Sequence, residues 1–206
     1  EWRDGSKELK DYKDFDIESR KRTLSFIKSS AEAKQPFYVA WWPLMFSFIT
    51  EPNKVTLQRG MAGEEYQRVI EPDIAALRKT LEELGIAENT LIVAMSDNGP
   101  MTHNPPPGAG LGEGLFRGGK GDFTEGGVRV AAAALWPGVI EPGQLAGDMI
   151  HEVDLFTTFA RLAGARQNIP TDRIIDGIDQ TALLMKGDTN GRRDYNFIYQ
   201  GPDLAA

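Results

Sequence analysis

The sequence predicts an α/β fold in which a mostly parallel sheet is flanked by helices. Two apolar runs, residues 37–42 and 90–95, have the length of strands and lack polar alternation, which is typical of strands buried on both faces. Residues 64–84, between them, have apolar residues at helical spacing. Because a helix between two strands usually makes a right-handed crossover between parallel neighbours, this order indicates a parallel sheet.

The N-terminal part is predicted to begin with an irregular lead-in over residues 1–15, followed by a helix over 16–33 that Asp16 caps. In the helix over 64–84, Pro72 is expected to break or kink the axis and Gly85 to stop it. Three tryptophans on or directly beside the predicted strands, Trp41, Trp42 and Trp136, are expected in the core.

The C-terminal half begins with a glycine-rich segment, residues 108–127, which contains nine glycines. A strand over 128–135 and an amphipathic helix over 153–164 are predicted to follow. His151 is expected at the start of that helix, with Asp154 in its first turn, where the helix dipole favours a negative charge.

Composition excludes several classes of function. The 23 basic and 30 acidic residues give a net charge of −7, and no basic run is interleaved with aromatics, so nucleic acid is not an expected partner. The chain has no cysteine, which excludes disulfides, thiolate metal sites and a thiol nucleophile. No apolar run reaches the roughly 18 residues of a membrane span, and no membrane partner is expected. Localisation stays open.

Asp97 and Asn98 directly follow the second predicted strand, at the end where open α/β sheets present their ligand sites. A carboxylate beside an amide oxygen offers two hard ligands suited to calcium or magnesium, and Gly99 lets the backbone turn away. The alternative is a simple turn, since these residue types also suit a strand exit for backbone reasons.

Lys120 is a lysine among glycines that let the backbone approach a ligand closely. Its ammonium is suited to oxygens of a sulfate or phosphate ester. The alternative is a solvated loop lysine. Glu125 and Arg129 are expected at most to pair with each other. His103 could lie near the same cleft if its loop folds back.

Four blocks occur in order: residues 96–100 (SDNGP), 119–130 (GKGDFTEGGVRV), 135–140 (LWPGVI) and 154–158 (DLFTT). Together they resemble the type I sulfatases, which are arylsulfatase-like members of the alkaline phosphatase superfamily. The resemblance covers about residues 36–184. It implies one partial sulfatase domain over residues 1–206, with a lead-in (1–15), an α/β segment with metal- and sulfate-contacting loops (16–140) and a C-terminal segment (141–206).

The resemblance implies a sulfuric ester hydrolase with a calcium-assisted formylglycine mechanism. It places the metal ligands at Asp97 and Asn98, for Ca²⁺ with Mg²⁺ as the alternative, and a catalytic, substrate-binding lysine at Lys120, with His103 as a second substrate-binding residue. The implied substrate is a sulfate ester of a small molecule or a sulfated carbohydrate.

Several features of the family are not found in this sequence. It has no Cys/Ser-X-Pro/Ala-X-Arg motif, so the formylglycine nucleophile is absent, and a family histidine is replaced within residues 43–48 (PLMFSF). We therefore interpret the chain as a C-terminal portion with a partial site. The alternatives are a phosphonate or phosphodiester hydrolase of the superfamily, which Asn98 disfavours, or a non-catalytic binding or assembly module. Such a module is expected to form homo-oligomers through an exposed sheet edge.

Overall fold

The computed structural model describes residues 12–43, 63–99, 116–187, 190–200 and 203–205. Its helices are α1 (Tyr12–Glu32), α2 (Gly63–Glu83), α3 (Glu125–Val128), α4 (Glu152–Leu162) and α5 (Thr181–Lys186), and its strands are β1 (Ile92–Met95), β2 (Ala132–Leu135), β3 (Ile198–Gln200) and β4 (Asp203–Ala205). The chain divides into two compact units, Glu1–Ala87 with Asp97–Val130, and Glu88–Ser96 with Ala131–Ala206. None of the described helices is long and apolar enough to cross a membrane.

Helices α1 and α2 contact each other in the first unit and confirm the two N-terminal helices predicted from the sequence. Ile27 of α1 and Leu81 of α2 are each only 2% exposed. Arg20 Nη1 lies 2.9 Å from Asp73 Oδ1, an ion pair between the two helices. Of the predicted break or kink at Pro72, the break is wrong, because α2 continues through the proline. Packing against a neighbouring helix can outweigh the local cost of a proline. The kink stays a prediction.

Gly85 ends α2 as predicted. Its N–H donates to Glu82 O and the N–H of Ile86 donates to Leu81 O, both at 3.0 Å. These two bonds form the Schellman arrangement, which satisfies carbonyls that the end of a helix leaves without helical partners.

The strand predicted over residues 37–42 is not formed among the described residues. Its residues alternate between half-buried and exposed, and Tyr38 and Trp42 are 71% and 81% exposed. The prediction that Trp42 belongs to the core is therefore wrong. An apolar run supplies strand propensity, but a strand also needs a partner for its backbone hydrogen bonds, and no described segment provides one.

The two strand pairs among the described residues are both antiparallel, β1 with β2 and β3 with β4. Ile92 is opposite Leu135, and Met95 is opposite Ala132. The described strands therefore do not form the mostly parallel sheet predicted from the sequence. Nor is β1 buried on both faces, since Ala94 and Met95 are exposed. The order of helices and strands does not specify which strands pair, and here β1 pairs with β2 rather than with residues 37–42.

The strand predicted over residues 128–135 is shorter than expected, because β2 begins only at Ala132. The one-turn helix α3 occupies Glu125–Val128 instead. The N–H of Gly127 donates to Thr124 O and that of Arg129 donates to Glu125 O, each at 2.8 Å. The last helical bond of α3 uses the N–H of Arg129, so the first two residues of the predicted strand belong to this turn.

A close backbone approach, here called the glycine contact, joins Gly99 to Gly126 and Gly127 in the first unit. The N–H of Gly99 donates to Gly127 O at 3.0 Å. A Cβ added to Gly99 would lie 1.8 Å from Gly126 O, and one added to Gly126 would lie 2.2 Å from Gly118 O. Only residues without a side chain allow this approach, so the glycine contact fixes the segment after β1 against the glycine-rich segment.

The second unit is organised around Asp154 in the first turn of α4, a residue with no exposed surface. Its carboxylate accepts hydrogen bonds from the N–H groups of His151 (2.9 Å) and Ile178 (2.7 Å), and it pairs with the guanidinium of Arg193. His151 Nδ1 in turn accepts from the N–H of Val153 at 3.2 Å, which completes a capping box. The helix predicted over 153–164 and the position of His151 at its start are confirmed.

The substitution Gly99→Ala tests the glycine contact. We expect it to lower the free energy of unfolding by about 2 kcal/mol or more, because the new Cβ would overlap a backbone oxygen that cannot rotate away. Urea titration followed by circular dichroism measures the effect. Gly147→Ala is the matched control, since a Cβ there has no heavy atom within 4 Å. Equal effects of the two substitutions would contradict the contact.

Asp154→Ala should lower the free energy of unfolding by about 3–5 kcal/mol, because it leaves the guanidinium of Arg193, whose side chain is only 11% exposed, without its carboxylate. The control is Asp172→Ala, which removes the ion pair of Asp172 with Arg173, whose side chains are 68% and 66% exposed. The control should leave the urea midpoint unchanged within error. A loss no larger than that of the control would show that Asp154 is not central to this unit.

Asp154 also predicts a dependence of stability on pH. Burial raises its pKa, but the hydrogen bond from Arg193 and the backbone N–H groups of Ile178 and His151 outweigh burial and hold the pKa below the ordinary value of 3.8. A lowered pKa in the folded chain means that this stabilisation is fully present above about pH 4 and is lost as pH falls through the folded pKa. In an acid titration below pH 4, Asp154→Asn should therefore lose less of its free energy of unfolding than the unsubstituted chain. The same dependence of stability on pH below 4 in both chains would refute this.

Candidate metal- and anion-binding site

The segment after β1 presents Asp97 and Asn98 side by side. Asp97 is exposed, Asn98 is half-buried, and Gly99 is buried in the glycine contact. Asn98 Nδ2 donates to Gly99 O at 2.8 Å. This bond fixes the orientation of the Asn98 amide relative to the backbone.

The glycine-rich segment folds back on itself around Arg117. The N–H of Gly126 donates to Arg117 O at 2.8 Å, and Thr124 Oγ1 donates to the same carbonyl at 2.6 Å. A Cβ on Gly127 would lie 2.6 Å from Gly119 O and 2.2 Å from Asp122 O. At Gly126 and Gly127 the backbone is thus packed more closely than any side chain would allow.

Lys120 lies at the exposed corner of a turn within this segment. The N–H of Asp122 donates to Gly119 O at 2.9 Å and closes the turn over Lys120 and Gly121. Lys120 is exposed. This exposed position is compatible with both interpretations of Lys120, as a ligand of an anion and as a solvated loop lysine.

The segment that carries Asp97 and Asn98 and the segment that carries Lys120 both pack against Gly126 and Gly127. Gly126 and Gly127 contact Gly99 on the segment that carries Asp97 and Asn98. The same two glycines contact the backbone of residues 117–119, next to Lys120. The two metal-ligand candidates and the candidate anion ligand are therefore attached to one closely packed backbone arrangement.

The pairing expected between Glu125 and Arg129 is confirmed. Arg129 Nη1 lies 3.1 Å from Glu125 Oε2, and the guanidinium also lies 4.6 Å from the centre of the Phe116 ring. The two charged side chains are more than half exposed, so the pair contributes at most a few tenths of a kcal/mol, roughly the value of an exposed helical pair.

The donor set agrees with part of a calcium shell and is not a complete one. Asp97 and Asn98 would provide two hard oxygen ligands, whereas calcium takes roughly six to eight. In the part of the chain that the structure describes, no group of three or more His, Cys, Asp or Glu residues could hold a metal ion. The remaining ligands would have to come from water or from other residues.

His103 and the family histidine position within residues 43–48 lie outside the described residues, apart from Pro43. His103 therefore stays a prediction. The sequence interpretation did not single out Asp122 and Thr124, whose side chains bond to the backbone on either side of Gly118. The available signal was Gly119-Lys120-Gly121-Asp122, since a glycine followed by an aspartate is typical of a tight turn.

Comparison with known proteins identifies the family of this region. Residues 73–165 match the family model described as Sulfatase. The chain is 42% identical to the steryl-sulfatase of Rattus norvegicus over 130 residues, which cover 62% of this chain and 22% of that protein. It is 35% identical to the N-acetylgalactosamine-6-sulfatase of Canis lupus familiaris over 189 residues, or 89% of this chain and 34% of that protein.

A solved structure shows the same similarity in three dimensions. The PsFucS1 sulfatase from Pseudoalteromonas sp. superimposes with a TM-score of 0.68 at 30% identity, over 89% of this chain and 37% of the other. The chain thus spans between about a fifth and a third of the two curated relatives. The resemblance seen in the sequence is confirmed: this chain carries a type I sulfatase region of the alkaline phosphatase superfamily.

Proposed function

We propose that the chain is part of a sulfuric ester hydrolase in which Asp97 and Asn98 bind calcium and Lys120 binds the sulfate ester. The single observation that carries the proposal is the glycine contact. It attaches the segment with two oxygen ligands and the segment with one cationic side chain to the same two glycines, Gly126 and Gly127. Membership of the sulfatase family supports the reaction class.

Asp97 and Asn98 would hold the metal through a carboxylate oxygen and an amide oxygen. The bond from Asn98 Nδ2 to Gly99 O supports this role, because it fixes the amide before a metal arrives. A calcium ion, when bound, supplies positive charge that stabilises negative charge developing on the ester. Magnesium is the alternative ion, since it also prefers oxygen ligands.

Lys120 would bind an oxygen of the sulfate ester. An ammonium directed at an oxygen on which charge develops typically lowers a barrier by a few kcal/mol (about 2–4). Its place in a turn bounded by glycines leaves room for a ligand close to the backbone. The substrate we propose is a sulfate ester of a small molecule or of a carbohydrate, and the site does not favour either alcohol.

The nucleophile is proposed to lie in residues outside this sequence. The sequence contains no cysteine and no serine in the formylglycine motif. We propose that the 206 residues bind metal and anion and do not hydrolyse the ester alone.

Isothermal titration with calcium tests the metal ligands. The chain should bind calcium weakly, with a Kd of about 10⁻⁴–10⁻³ M or higher, because two protein oxygens are far fewer than calcium prefers. Asp97→Ala should abolish the signal, whereas Asp172→Ala, which removes an exposed aspartate of the other unit, should not.

The same preparations should leave an aryl sulfate such as nitrocatechol sulfate unhydrolysed. Calcium binding that survives Asp97→Ala would refute the metal assignment. Hydrolysis by the chain would refute the assignment of the nucleophile to residues outside it.

A further inference from the structure

The carboxylate of Asp122 bonds to the backbone of the turn that carries Lys120. Asp122 Oδ2 accepts a hydrogen bond from the N–H of Gly119 at 2.9 Å, while the N–H of Asp122 donates to Gly119 O, also at 2.9 Å. Both polar groups of the Gly119 backbone are therefore bonded to Asp122. This double connection closes a ring around Lys120 and Gly121.

The backbone of the turn agrees with this closure. Gly121 has a φ of +93°, which is the left-handed value that the third residue of a type II turn requires and that glycine adopts without strain. Lys120 occupies the second position of the same turn. A Cβ on Gly121 would meet no heavy atom within 4 Å, so Gly121 is required for its backbone angle and not for space.

Asp122 also lies against the residue that precedes the turn. A Cβ on Gly118 would lie 2.7 Å from Asp122 Oδ2 and 2.0 Å from Thr124 Oγ1. Two side chains, Asp122 and Thr124, therefore pack against the backbone segment that leads into the turn. Asp122 is half-buried there, whereas Lys120 is exposed.

We infer that Asp122 is a positioning residue for Lys120: its carboxylate holds the turn in the one conformation from which the lysine meets the sulfate group. The inference rests on the proposed function, in which Lys120 binds the ester. Asp122 acts through the Gly119 N–H and does not itself contact the anion. The negative charge of Asp122 repels a nearby anion. Any favourable effect of Asp122 on anion binding must therefore come from its hydrogen bond to the turn.

The role of Asp122 as a hydrogen-bond acceptor can be separated from its charge. Asp122→Asn removes the charge and keeps an oxygen that can accept from Gly119 N–H. Asp122→Ala removes both. The difference in anion affinity between these two variants therefore reports the bond alone.

The experiment is a titration of the 206-residue chain with inorganic sulfate, followed by NMR shifts of backbone amides in residues 117–127. Asp122→Asn should bind sulfate at least as tightly as the unsubstituted chain. Asp122→Ala should bind about fivefold to thirtyfold more weakly than Asp122→Asn, the factor that corresponds to fixing the backbone of one residue before the ligand arrives. Equal affinity of the two variants would overturn the inference.

Two further variants keep the result interpretable. Lys120→Ala should remove sulfate binding; if it does not, the proposed function fails, and that failure is distinct from a failure of Asp122. If Asp122→Ala does not fold, Gly121→Ala replaces it, because a side chain at a φ of +93° strains the same turn without altering any charge. Gly121→Ala should weaken sulfate binding, and unchanged affinity in a folded Gly121→Ala chain would overturn the inference.

Discussion

Two stretches of backbone approach each other more closely in the first unit than any side chain would allow. Gly99 donates to Gly127 O, and the carbonyl of Gly126 occupies the space where a Cβ of Gly99 would be. Gly126 and Gly127 are in turn packed against the backbone of residues 117–119. Every candidate site residue that the structure describes is attached to this contact, so the geometry of the site depends on three positions that carry no side chain.

The candidate site side chains around this contact differ in how firmly they are held. Asn98 is oriented by its own bond to Gly99 O, and the turn around Lys120 is closed by Asp122. Asp97 and Lys120 themselves are exposed. In the proposed site, the backbone is therefore fixed before a ligand binds, and only the exposed charged side chains have to be ordered by metal and ester. A backbone that is fixed in advance reduces the conformational entropy lost on binding.

The sequence predicts some parts of this structure well and others poorly, for identifiable physical reasons. Helices α1, α2 and α4 follow from periodic apolar residues and local caps such as Gly85 and His151, because helix contacts are local in sequence. Strand pairing is not local, and the parallel sheet predicted from the order of elements is not formed by β1 and β2. The motif residues were found from the sequence. The Gly-Lys-Gly-Asp pattern is typical of a turn, but the bond from the Gly119 N–H to the Asp122 carboxylate follows only from the structure.

Native-state hydrogen exchange of the Gly99 and Gly126 amides tests the central claim most directly. If the glycine contact holds the two segments together, both amides, which donate to Gly127 O and Arg117 O, should be protected and should exchange through one common opening with the same free energy. Exchange of Gly99 at the rate of an unprotected amide, while Gly126 stays protected, would show that the segment with Asp97 and Asn98 is not fixed to the segment with Lys120, and would contradict the account.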